Sequence, residues 1–435
     1  MPTPDVRLPR RVLAGYATGS LVTGAFGTVP GLLLLPYLTD TLGVAAGVAG
    51  LLVLLPKAWD VLVNPVAGRI SDRTGDRRGF LLGAGLALGV LFAAIFAGPF
   101  GTGAGAGAYV AVAFLAAATA FAFFQVPFVA MPAELTGSRT ERTRLVTWRV
   151  AVLALAILIS GALTPLVTDL AGGGLSGHRW SGAFVGALIV VGTLGAFFGT
   201  RTAESRIVPG QEPSLRAQLR IAAANASFRS LLLCYVIQAA GTGTMLAGVQ
   251  YFADHVIDQE SGATFLFAAF VGPALLVMPL WSRVGKRHGK LRGLVAASLL
   301  FAAGALALLA APALPAVAVY LIVALIGCGY AGQQVFALAM LPDQIDNDTV
   351  RTGRRQAGVF TGVWTAGETL GLALGPGIYA LMLQLFGYVS SSTGESAVQD
   401  DQARLGVLLG FTLVPALLVG AAVLFLRRYD DTVGA

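Results

Sequence analysis

The sequence predicts an all-α membrane protein with twelve transmembrane helices, built as two pseudo-symmetric six-helix bundles. Three observations predict it. Of 435 residues, 56% are hydrophobic and only 12% charged, against roughly 25% charged in a soluble domain, so most of the surface meets something other than water. Apolar runs of about 18 residues or more recur along the whole chain, each long enough to cross a bilayer. Two pairs of segments repeat at offsets of 209 to 214 residues.

The apolar runs place spans at 14–38, 44–67, 80–100, 108–132, 146–169, 182–200, 230–253, 262–282, 292–312, 316–341, 357–384 and 405–426. Glycine and proline are frequent inside them, as membrane helices tolerate. Arg7, Arg10 and Arg11 precede a first apolar segment too long for the core of a cleaved signal, so it is expected to stay as the first helix.

The net charge of +7 sits in short arginine clusters between spans. Basic stripes interleaved with aromatics are missing, which argues against a nucleic-acid partner. With the amino terminus inside, 25 of the 29 Lys and Arg residues fall in inside tails and loops. Arg179 and Arg404 fall outside, and Lys57 and Arg149 lie within spans. This bias predicts a multi-pass protein of the cell (inner) membrane with both termini cytoplasmic. The longest inside connection, 201–229, carries an amphipathic run at Leu215–Ile221. It is expected to link an amino-terminal bundle, 1–200, to a carboxy-terminal bundle, 230–435.

Cys234 and Cys328 fall in apolar spans, and His178, His255 and His288 are placed in loops. They form neither a disulfide framework nor a metal-ligand cluster. No nucleophile–base pair or nucleotide motif supports an enzyme, and no cofactor is expected. The expected partners are a small-molecule solute and membrane lipid, with the chain acting as a monomer.

The repeats pair equivalent places in the two halves. Gln125-Val126-Pro127-Phe128-Val129-Ala130-Met131-Pro132-Ala133-Glu134 closes the fourth span, and Gln334 to Asp343 closes the tenth in similar fashion. Arg73-Thr74-Gly75-Asp76-Arg77-Arg78 after the second span is matched by Arg287-His288-Gly289-Lys290-Leu291-Arg292 after the eighth. Two repeats at nearly one period argue for parallel halves related by an axis along the membrane normal.

The loop Gly68-Arg69-Ile70-Ser71-Asp72-Arg73-Thr74-Gly75-Asp76-Arg77-Arg78 resembles the Gly-x-x-x-Asp-Arg-x-Gly-x-Arg-Arg signature of the major facilitator superfamily. Its glycines suit a tight turn. Asp72 can pair with arginines or cap a helix, so Gly68, Asp72, Arg73, Gly75, Arg77 and Arg78 are the expected gating residues. In the second copy Lys286 replaces the acid, and the latch there is expected to be weaker or absent.

Three more stretches resemble the glycoside–pentoside–hexuronide:cation symporters: Tyr37-Leu38-Thr39-Asp40, Lys57-Ala58-Trp59-Asp60-Val61-Leu62-Val63-Asn64-Pro65, and Pro342-Asp343-Gln344-Ile345-Asp346 followed by Arg351-Thr352-Gly353-Arg354-Arg355. The resemblance implies a cation site on carboxylates of the second and fourth spans. Asp60 stands at the first of these positions, while Asn64 and Gln125 replace the other acids. Gly24 stands where that family's galactoside-binding acid would be, Arg149 at its fifth-span arginine, and Thr369, beside Glu368, at its eleventh-span lysine. One carboxylate and two amides make a poor sodium cage, so the coupling cation is expected to be a proton rather than sodium.

Charges inside spans carry the most information, because each costs on the order of 2.5–3.5 kcal/mol at mid-bilayer. Lys57, Asp60, Arg149 and Glu368 are such charges. Lys57 and Asp60 are spaced to pair on one helix face. An acid at such depth is suited to loading and releasing a proton, so Asp60 and Glu368, with Asn64 and Gln125, form the candidate cation-coupling set. The candidate solute-binding set is Lys57, Trp59, Gln125, Trp148, Arg149, Gln238, Gln334, Trp364 and Thr369. Gln250, Tyr251 and Gln333 add further polar groups. Amides and indoles suit hydroxyl-rich ligands. The expected function is a secondary active, cation-coupled symporter of a sugar or sugar-like solute working by alternating access. The alternative is a transporter of lysolipid or another amphipathic solute on the same fold.

Overall fold

The structure, a computed structural model, describes residues 7–74, 77–136, 138–201, 203, 215–259, 261–353, 357–391 and 397–429. Several side chains within helices, chiefly between positions 57 and 77, lie outside the description. The described residues are overwhelmingly helical. Eleven of their helices are long and apolar enough to cross a membrane, and a shorter apolar stretch, Ala46–Pro56, opens a twelfth.

In chain order these are α1 (Arg10–Thr41), α2 (Ala46–Thr74), α3 (Arg77–Ile95), α4 (Ala104–Leu135), α5 (Arg139–Leu170) and α6 (Gly174–Thr200). A short connecting helix, α7 (Leu215–Ala224), follows. Then come α8 (Ala226–Ile257), α9 (Gly262–His288), α10 (Lys290–Ala313), α11 (Ala316–Thr352), α12 (Ala357–Leu385) and α13 (Asp401–Phe425). Most crossing helices are apolar on all faces, as a lipid-facing helix must be. Their outward positions carry exposed side chains such as Val90, Val112, Leu276 and Val317.

Capping sets the helix starts earlier than hydropathy does. Ser138 accepts the Glu141 amide at 3.4 Å, so α5 begins at Arg139 rather than 146. Asp400 likewise accepts the Ala403 amide at 2.7 Å and starts α13. These side chains satisfy amides that would otherwise lack partners. His178, expected in a loop, lies inside α6 and is buried. His255 sits in a π-helical turn, and His288 is the last residue of α9. The loop expected from Gly68 is narrower than the motif suggested, because α2 continues to Thr74 and α3 starts at Arg77.

The chain divides into two compact units, one of Met1–Gly210 with Ser390–Ala397, the other of Gln211–Val389 with Val398–Ala435. In the first, α1 packs on α5 and α6, α2 on α4, and α3 on α4 and α6. In the second, α8 packs on α12 and α13, α9 on α11, and α10 on α11 and α13. The two pairing schemes are identical when each helix is advanced by seven labels. Close approach depends on glycine in both. A Cβ on Gly15 would collide with the Gly199 backbone in the first unit, and one on Gly375 with the Gly243 backbone in the second. Such small-residue contacts let membrane helices meet at backbone distance. The connecting helix α7 joins the second unit's core through Ile221 and Ala222.

Candidate functional site

Three helix faces of the second unit converge on a small cavity. From α8 come Tyr235, Gln238, Ala239 and Thr242; from α11 come Tyr330, Gln333 and Gln334; from α12 come Glu368 and Leu372. Each set follows three- and four-residue steps, so each lies on one face of its helix.

Glu368 is the only charged residue of this lining, and it has no ion-pair partner among the described residues. Its Oε1 lies 2.6 Å from the Tyr235 hydroxyl. The same hydroxyl lies 2.6 Å from Gln334 Oε1, and Gln334 Nε2 donates to the Tyr330 hydroxyl at 2.8 Å. One turn before Glu368, Trp364 stacks on the Tyr235 ring, with centroids 4.4 Å apart and planes 20° from parallel. That stack fixes the direction of the phenol. Across the cavity Gln238 Nε2 donates to Ser298 Oγ at 2.9 Å, which anchors the amide. Gln238 and Gln333 are each only 2% exposed, yet Gln238 Oε1 and Gln333 Nε2 have no hydrogen-bond partner. A buried polar atom without a partner costs free energy.

The first unit holds the other predicted residues. Gln125 on α4 accepts from Thr23 Oγ1 on α1 at 3.0 Å. Trp59 on α2 donates its indole N–H to Thr119 Oγ1 at 3.1 Å. The Arg149 guanidinium lies 5.3 Å over the Phe128 ring, and Phe128 stacks on Tyr16 at 4.8 Å. Arg149 Nε has no hydrogen-bond partner. Asn64 is half-buried, while Trp148 is 55% exposed. Lys57 and Asp60 lie on α2, but their side chains fall outside the described residues. The same holds for Gly68, Asp72, Arg73 and Arg77 on their helices, and for Gly75 altogether. Arg78 is described, and its guanidinium donates to the carbonyls of Arg201 at 2.9 Å and Ala203 at 2.5 Å. It thereby caps the end of α6, where a cation offsets the helix dipole.

In the second unit Thr369 is half-buried beside Glu368 but does not line the cavity. Gln250 bonds Asp254 at 3.0 Å, and Tyr251 packs among Tyr379 and Tyr388, both apart from the cavity. Sequence reasoning passed over Tyr235 and Tyr330, because tyrosine is routine in apolar helices. The usable signal was spacing: Tyr235 precedes Gln238 by three residues, and Tyr330 precedes Gln334 by four.

The model of MFS/sugar transport proteins matches residues 15–431. The chain belongs to that family. Among curated relatives, the glycoside/cation symporter YagG of Escherichia coli strain K12 is 26% identical over 432 residues, covering 96% of this chain and 91% of that protein. The glucuronide carrier protein homolog of the same organism is 25% identical over 424 residues, covering 94% and 90%. The symporter YnaJ of Bacillus subtilis strain 168 is 25% identical over 435 residues, covering 96% and 90%. Among solved structures, an auto-inhibited POT family peptide transporter superposes with a TM-score of 0.70 at 13% identity, covering 98% of each chain. A bacterial homolog of the human lysosomal transporter Spinster, inward-facing and unoccupied, gives 0.65 at 16% identity, covering 97% and 96%. The fold is therefore that of the major facilitator superfamily, and the protein is a multi-pass membrane transporter.

Lys290 Nζ lies 2.6 Å from Asp343 Oδ2 and donates to the Ala339 carbonyl at 3.0 Å. This ion pair joins the first residue of α10 to α11.

Proposed function

We propose that the transporter is a proton-coupled symporter for a neutral, hydroxyl-rich solute. The observation that carries this is the second unit's cavity: one acid without a cationic partner among the described residues, beside two amides with unused hydrogen-bonding atoms. A sugar hydroxyl both donates and accepts, so it answers Gln238 Oε1 and Gln333 Nε2 alike. Amide lining favours sugar over the acyl chain of a lysolipid. A uronate would face Glu368 with no lining cation to offset its charge, so neutral solutes suit this cavity better than the glucuronide in one relative's name.

Glu368 carries the coupling proton in this reading, taking it up on one side of the membrane and releasing it on the other as the halves alternate access. Asp60, with Asn64 and Gln125, is the second candidate for the coupling site. Arg149 and Trp59 supply polar contacts from the first unit, and Arg78 with its neighbours in the motif acts in gating. The chain works as a monomer without a cofactor, with both termini in the cytoplasm. An inner membrane location suits the relative named inner membrane symporter YicJ.

Reconstituted liposomes test it. An inward proton gradient should drive accumulation of a labelled neutral monosaccharide from a panel that also holds uronates and a lysolipid. Glu368→Gln should abolish gradient-driven accumulation while leaving exchange of labelled for unlabelled sugar. Undiminished gradient-driven uptake in that variant would remove Glu368 from the coupling role.

A further inference from the structure

The hydrogen bonds around Tyr235 contain a hydrogen count that fixes more than a site. Its hydroxyl sits 2.6 Å from two acceptors, Glu368 Oε1 and Gln334 Oε1. A phenol has one hydrogen and can serve only one of them. With the Gln334 amide as it stands, Nε2 toward Tyr330, a single arrangement places a hydrogen in every contact. Glu368 is protonated and donates to Tyr235; Tyr235 donates to Gln334; Gln334 donates to Tyr330. The hydrogen of Tyr330 is then free, and Tyr330 lines the cavity.

Loss of the proton reverses the chain. An ionised carboxylate only accepts, and it takes the Tyr235 hydrogen in a charge-assisted bond. Gln334 then turns its amide, with Nε2 donating to Tyr235 and Oε1 accepting from Tyr330. Tyr330 now presents only lone pairs to the cavity. No hydroxyl gives up its own hydrogen, and the sole proton exchanged is the one on Glu368. The titratable groups facing Glu368 are Tyr235 from α8 and Tyr330 from α11; α7 and α13 place no residue in the lining.

We infer that Glu368, Tyr235, Gln334 and Tyr330 form a proton-operated polarity switch, in which loading Glu368 turns Tyr330 from hydrogen-bond acceptor to donor toward the solute. Tyr235 is the positioning residue, held by its stack on Trp364. The switch names a feature of the solute. A hydroxyl rotates to suit either state, so coupling needs a fixed acceptor against Tyr330, such as a ring or glycosidic oxygen or a carbonyl. The inference rests on the reading of Glu368 as a proton carrier.

Infrared difference spectra of the purified full-length protein, titrated with pH and carrying isotope-labelled tyrosine, test it without a solute. The carboxylic C=O band and the tyrosine C–O band should change together with one midpoint. Glu368→Gln should remove both changes. Tyr330→Phe and Gln334→Leu should keep the carboxylic band and lose the Tyr330 part of the tyrosine signal, with Gln334→Met in place of the leucine variant if that one does not fold. A tyrosine signal unchanged in these variants, with the carboxylic band intact, overturns the switch and leaves Glu368 as the carrier. A carboxylic band that does not titrate, or that persists in Glu368→Gln, overturns the carrier and the switch with it.

Discussion

The two halves of the chain share one scaffold and treat their buried polar groups differently. Both use the same helix pairings, and both tie the entry of their first helix to an acid three residues before an arginine. Glu141, 5% exposed, accepts the Leu8 amide at 3.0 Å and pairs with Arg144 at 3.4 Å. Asp348, 2% exposed, pairs with Arg351 at 2.8 Å and accepts from Asn225 Nδ2 at 3.5 Å. In the first half, Thr23–Gln125 and Trp59–Thr119 close among themselves, and the charged group seen at depth is Arg149 over an aromatic ring. In the second, a lone acid joins a chain of hydroxyls and an amide beside unused hydrogen-bonding atoms. Duplicated packing preserves the frame, and substitution at a few polar positions gives each half its own chemistry.

If the frame is common property, breaking it should do equal and large harm on either side. Gly375→Leu in α12 and Gly199→Leu in α6 each drive a side chain into a facing glycine backbone. Overpacking in a closed core costs about 1–3 kcal/mol when side chains can yield, and here a backbone must move. Both variants should lose most monodisperse protein in detergent chromatography. Loss from one variant alone would show that the shared pairings are not equally needed.

The chemical difference separates in transport. Arg149→Lys keeps the charge but loses the planar stack on Phe128. It should lower uptake about ten-fold, in line with the roughly 0.5–2 kcal/mol of a cation–π contact, and leave the pH dependence of uptake as it was. A shifted pH profile would instead assign proton coupling to the first half.

Much of this frame was legible in the sequence. Twelve apolar runs and a repeat near 210 residues point to the two bundles, because lipid requires long apolar helices and duplication preserves spacing. Ends were less legible. Hydropathy stops at Leu341, yet α11 runs to Thr352, since a helix continues in water where capping and charge pairs support it. The second span was legible as well: the run predicted at 44–67 lies within a continuous helix, Ala46–Thr74. Within the site, Glu368 stood out as a charge in an apolar run. Tyr235 and Tyr330 did not, because only the meeting of α8, α11 and α12 gives their hydroxyls partners.

The paired acids sharpen the comparison at a smaller scale. Asp348→Ala leaves the Asn225 amide short of a partner, and Glu141→Ala leaves the Leu8 amide so. Each should cost about 1–3 kcal/mol, the usual penalty for stranding a buried polar group, read as matched drops in thermal midpoint. A drop confined to one variant would make that tie a peculiarity of its half.

Smallest is the effect at Lys290–Asp343, where both side chains are partly exposed. Exposed pairs contribute roughly 0.2–1 kcal/mol and weaken as salt rises. Lys290→Met should therefore shift the thermal midpoint by little at low salt and by nothing measurable at about 1 M salt, where the Debye length is about 3 Å. The Asp348 variant should keep its full deficit under the same salt, because its acid is buried. If Lys290→Met instead proves as costly as Asp348→Ala and insensitive to salt, the bond from Lys290 to the Ala339 carbonyl matters more than the ion pair. The second half would then be held by a lysine on a carbonyl in the middle of α11, where the first uses Arg78 at the end of α6.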